Sequence, residues 1–110
     1  MSYALQKLGL AIDEMTKGEG DIKSRLRKAY RHMSAISERD FPEDLKKDWK
    51  SIISRLTERE SKYKDTQFDE GDFEATMHRM RKRSASKIAT DIVDLHCRLE
   101  GFIKDGDQGS

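Results

Sequence analysis

At 110 residues, with 35% apolar and 39% charged side chains, the chain can bury one modest core and must leave most of its faces to solvent. Its 22 basic residues nearly cancel 21 acidic ones, and the resulting charge of +1 argues against both an unfolded polyelectrolyte and a dedicated, strongly basic nucleic-acid domain. One valine and one proline, against eight leucines, eight isoleucines and seven alanines, exclude a sheet-rich fold and favour helix.

The first predicted helix spans Tyr3 to Lys17. Leu5, Leu8, Ile12 and Met15 recur at helical spacing and form one apolar stripe, and Gly18 and Gly20 end it. Asp21 then offers a carboxylate to the free amides of a second helix. That helix turns Ile22, Leu26, Tyr30 or Ala29, Met33 and Ile36 inward. Its other faces carry Lys23, Arg25, Arg27, Lys28 and Arg31, with no acid between Asp21 and Glu38. So short a turn makes the two helices neighbours, antiparallel or steeply crossed. The pair also has the outline of a helix-turn-helix.

After a polar connection at Ser37–Asp40, Pro42 suits the first position of a third helix, where its missing N–H costs nothing. Phe41 suits a hydrophobic staple onto the first turn near Leu45. Leu45, Trp49, Ile52, Ile53 and Leu56 face inward, and Glu43 and Asp44 complement the helix dipole. Residues 60–71 make the longest connection, of a length met mainly in functional or mobile loops, with Tyr63 and Phe68 to pin it.

From a cap at Asp72, one long helix is predicted over Phe73–Arg98, continuing toward Lys104. Phe73, Met77, Met80, Ser84, Ile88, Ile92, Leu95 and Leu99 hold a single stripe, and Phe102 folds back over the last turn at Gly101. Asp72–Glu100 would reach about 43 Å, against about 25 Å for each earlier helix. The expected architecture is therefore an all-α, compact four-helix bundle with the long C-terminal helix as its spine. The excess length means either that the long helix spans two layers of shorter ones or that part of its stripe overhangs and is covered by a second copy, and a homodimer is the favoured expectation. Ser84, Ala85, Ala89, Ile92 and Leu99 are the expected helix–helix interface, because the small residues admit a close neighbour. Residues 1–104 form the single domain; residues 105–110 read as a disordered tail ending in a Gly109-Ser110 cloning scar.

No secretory or membrane-spanning run accompanies the single cysteine, which points to a reducing, cytoplasmic setting with no membrane partner. Cys97, on a mostly apolar helix and near its C-terminus, reads as a small core residue rather than a nucleophile. His96 and Cys97 point about 100° apart on a helix and cannot share a metal, and His32 and His78 are isolated in sequence. The acidic run Asp65–Asp72 fails the register of a calcium loop, because Glu70 falls where glycine is required. Gly18–Asp21 lacks the Lys-Ser/Thr pair of a phosphate loop. With no catalytic, cofactor or metal site in view, the first expectation is a non-enzymatic helical interaction module that binds itself or a protein partner.

The alternative rests on charge. The windows Lys23–Arg31 and Arg79–Lys87 hold ten of the 22 basic residues and no acid. On a continuous helix Arg79, Arg83, Ser86 and Thr90 share one side, flanked by Lys82 and Lys87. Lys23, Arg27, Arg31, Arg79, Arg83 and Lys87 are accordingly the candidates for phosphate contact with nucleic acid or another polyanion. Against this, the acids just outside each window could neutralise both faces, and no aromatic side chain alternates with the arginines.

Overall fold

The computed structural model describes residues 3–17, 20–57 and 71–108. They form five α-helices: α1 (Tyr3–Lys17), α2 (Ile22–Met33), α3 (Glu43–Leu56), α4 (Gly71–Arg79) and α5 (Lys82–Gln108), with a single 3-10 turn at Glu38–Asp40 before α3. The all-α class is as expected. The connection expected over residues 60–71, with Tyr63 and Phe68, lies outside the described residues except for Gly71, which opens α4.

Local chemistry sets the helix starts. The Ser24 amide donates to Asp21 Oδ1 at 2.9 Å, so Asp21 caps α2 as its position implies. That bond, with Lys82 also nearby, holds the Asp21 carboxyl below the usual carboxylate range. Just ahead of it, Gly20 takes a φ of 97°, a conformation that side chains with a Cβ rarely adopt. The connection to α3 is ordered by Asp40, whose Oδ2 accepts from the Ser37 amide at 2.8 Å and the Ser37 hydroxyl at 3.1 Å. Pro42 sits one position earlier than expected, as the cap with Glu43 first in the helix. Phe41 is buried at that entry and stacks on Trp49, centroids 5.0 Å apart.

α2 packs along α1 as a hairpin, the most extensive helix pairing among the described residues. The buried face of α1 is Ala4, Leu8, Ala11 and Met15, and it meets Leu26, Ala29 and Met33. Leu5 and Ile12, expected in the buried stripe, are only partly buried at its margin. Alanine at the contact lets the two backbones approach, and the larger side chains flank it. At the open end of α1 the Met15 carbonyl accepts from Arg25 Nη1 at 3.1 Å, which satisfies one of the helix's orphan acceptors.

The expected single C-terminal helix is broken at Met80–Arg81. The Met80 amide reaches only the Met77 carbonyl, at 3.4 Å, and the Arg81 carbonyl begins a new ladder by accepting from Ala85 at 3.0 Å. Neither glycine nor proline stands there. A continuous helix would set Arg79 and Arg83 one turn apart, with no acid from Arg79 to Lys87 to offset them. The bend also lets α4 bury Met77 and Thr76 and lay Phe73 on Tyr30 of α2. At the other end α5 runs on through Gln108, so residues 105–108 are helical where a disordered tail was expected. A glycine costs a helix only about 1 kcal/mol, and propagation from an established helix is cheap, so Gly101 and Gly106 do not stop it. Phe102 consequently stays on the helix and is 49% exposed instead of folding back.

α5 is nonetheless the spine. Ala85, Ile88, Ile92, Leu95 and Leu99 are buried, and α5 packs on α1, α2 and α3. The stripe that was to overhang is covered by helices of its own chain.

Candidate anion-binding cleft

The break between α4 and α5 opens a concavity of about 420 Å³ against the last turn of α3. Four cations line it: Arg55 of α3, Arg79 at the end of α4, Arg81 in the joint and Lys87 of α5. Met80 and the buried Ile88 supply an apolar wall, and exposed Ser84 stands at the edge. Its volume lies within the range of small-ligand pockets. Among the described residues no carboxylate lines the cleft, and Arg79, Arg81 and Lys87 have no ion pair.

The helix geometry concentrates this charge. The first turn of α5 contains no acid, so Arg83 adds its charge to the positive end of the dipole, whereas Lys82 Nζ is partly offset by Asp21 Oδ2 at 3.9 Å. A concave wall of one sign focuses the field on whatever enters.

Arg55 differs from the other three. Its Nη1 lies 2.7 Å from Asp91 Oδ2 of α5, and its Nε donates to the Ser51 carbonyl at 3.2 Å. It therefore borders both the cleft and a polar seam that joins α3 to α5. Farther along this seam Arg98 bridges Asp48 at 3.0 Å and Asp94 at 2.8 Å. Partial desolvation opposes the Arg98 charge, but the bonds to Asp94 and Asp48 outweigh it and raise the guanidinium above its ordinary value.

Of the expected phosphate contacts, Arg79 and Lys87 reach the cleft. Arg83 is exposed but off its wall, because the break rotates Arg79 out of the line it would share with Arg83 on one helix. Lys23, Arg27 and Arg31 do not line it either. Arg27 Nε pairs with Glu74 Oε2 of α4 at 3.2 Å, and the Tyr30–Phe73 stack commits that side of α2 to α4. α1 and α5 pack on α2, and Phe73 of α4 stacks on it, while Lys28 and Arg31 remain exposed on its outer side, away from the cleft. Arg81 belonged to the basic window but not to the candidates, and nothing in the sequence singled out Arg55.

The expected helix–helix interface is internal. Ala85, Ile92 and Leu99 are buried, Ala89 packs half-buried against the same core, and only Ser84 is exposed. Cys97, expected in the core, is exposed. Leu95 and Leu99 occupy the buried side of α5, and 100° per residue swings Cys97 away from it. A second, shallower groove runs between α1 and α5, with Leu10 and Val93 on its walls beside Ile12 and His96. His32 Nε2 stands 3.4 Å from Glu14 Oε1. Among the described residues no three His, Cys, Asp or Glu side chains are grouped to hold a metal ion.

The chain matches no family model, no curated protein and no solved structure.

Proposed function

We propose that this protein is a non-enzymatic binding module that grips phosphate groups of a polyanion, nucleic acid foremost, in the cleft at the α4–α5 joint. One observation carries the reading: Arg55, Arg79, Arg81 and Lys87 gather around a single concavity that no described carboxylate enters. Side chains so placed displace counterions when they meet phosphate, which makes binding salt-sensitive. The overall charge of only +1 restricts the attraction to this locality. A free thiol and a nucleic-acid ligand fit a cytoplasmic setting, and no described helix is long and apolar enough to cross a membrane.

The test is a titration of labelled DNA and RNA between about 50 and 200 mM salt, where three or four phosphate contacts give a log–log slope of about −2 to −4. Arg79→Ala, Arg81→Ala and Lys87→Ala should each weaken binding and flatten that slope. Absence of salt-sensitive binding at low salt rules the reading out. Undiminished binding by the Arg79→Ala/Arg81→Ala double variant moves the site elsewhere.

Self-association is a second reading, favoured by Leu10 and Val93, which are 38% and 41% exposed and line one groove. A second copy would cover it through the same groove. Light scattering behind chromatography should then show a dimer that Leu10→Glu with Val93→Glu dissociates. A wild-type chain monomeric at high concentration removes this reading.

A further inference from the structure

The four cations of the cleft are not equivalent. Arg79, Arg81 and Lys87 carry no ion pair among the described residues, whereas Arg55 is held at two points, by the Ser51 carbonyl at 3.2 Å and the Asp91 carboxylate at 2.7 Å. A guanidinium presents five N–H donors in a planar fork. Two are engaged by these contacts, which leaves three uncommitted on a side chain that lines the cleft. The two holding groups come from different helices, Ser51 from α3 and Asp91 from α5, so the orientation of the plane is fixed by the packing of the scaffold itself.

We infer that Arg55 is the preorganised anchor for a phosphate oxygen in this cleft, and that Asp91 is its positioning residue. The inference rests on the phosphate-binding reading above and adds which residue grips and why. A long side chain already ordered in the free protein loses less rotamer freedom when the ligand arrives. Its planar fork also matches the spacing of two phosphate oxygens, which an ammonium cannot do. The three looser cations then supply attraction, and Arg55 supplies geometry.

Simple electrostatics and positioning make opposite forecasts for Asp91. If its carboxylate acts only as a nearby negative charge, its removal strengthens anion binding. If it holds Arg55 in place, its removal weakens binding although an opposing charge has gone. Binding of a labelled single-stranded oligonucleotide, with inorganic phosphate as competitor, should be compared across the wild type, Asp91→Asn, Arg55→Lys and Arg98→Gln, with a melting curve for each.

Arg55→Lys keeps the charge and should lose about tenfold in affinity, the worth of one charge-assisted hydrogen bond. Asp91→Asn should also bind more weakly than wild type. Arg98→Gln cuts the neighbouring bridge between the same two helices; it should lower the melting temperature and leave affinity unchanged. Tighter or equal binding by Asp91→Asn overturns the positioning role, and wild-type affinity in Arg55→Lys overturns the anchor. If Asp91→Asn melts below the assay temperature, Arg55→Lys decides alone, since it retains charge at both ends of the Asp91 pair. Failure of the wild type to bind at all is the separate result that ends the phosphate reading itself.

Discussion

Phe73 of α4 lies flat on Tyr30 of α2, with ring centroids 3.8 Å apart and planes 5° from parallel. One residue along, Glu74 takes the Arg27 guanidinium at 3.2 Å. This joint holds α4 against the hairpin and so fixes where Arg79 enters the cleft. Phe73 is only half-buried, so Phe73→Ala should cost about 2 kcal/mol, less than the 3–5 of a fully buried phenylalanine. Chemical denaturation measures it, and a double-mutant cycle with Tyr30→Ala should return a coupling of about 1 kcal/mol. Additive losses would show that the stack has no energy of its own.

The Asp21 cap gives a pH dependence of known sign. Its carboxyl is depressed in the folded chain by the Ser24 amide, so its contribution is fully present above the unfolded carboxylate range and fades as pH falls through the lower folded value. Asp21→Ala should therefore lower the melting temperature by a few degrees at neutral pH, and the gap to wild type should close in strong acid. A gap that widens on acidification contradicts the assignment.

Arg98 stands between Asp48 and Asp94, and its removal leaves those carboxylates facing each other. All three side chains are substantially exposed, so Arg98→Ala should cost only about 0.5–1 kcal/mol. Screening should shrink the loss at high ionic strength. Unfolding curves at two salt concentrations check both the size and the trend.

Exposed Cys97 should react with a thiol reagent in the native protein, one label per chain and without denaturant. Mass spectrometry after a short native pulse reads this directly. Protection until the chain is unfolded would place the thiol against another surface, including that of a second copy.

The stripe Ile88, Ile92, Leu95 and Leu99 was plain in the sequence because its spacing is that of a helix face, and Asp21 was plain because a cap is a local device. Less visible was the burial of Ala4 and Ala11 ahead of Leu5 and Ile12. Size suggests which residues can fill a core, but the closeness of two backbones decides which ones do. The stop at Met80–Arg81 carries no glycine or proline and follows from where Phe73 and Met77 find partners. Arg79 and Lys87 could be named from their acid-free window. Arg55 could not, since it meets them only through the packing of α3 on α5.

That stop also has an enzymological consequence. Arg79, Arg81, Lys82 and Arg83 offer trypsin four cleavable bonds within five residues, at the one point between α4 and α5 where the backbone leaves its helical ladder. Proteases act where backbone opens locally, so limited digestion should nick the chain there among the first sites. Two of those residues line the cleft, so a bound ligand should shield the very side chains trypsin must recognise. Digestion footprints in the presence of candidate ligands would then report occupancy without any label on either molecule.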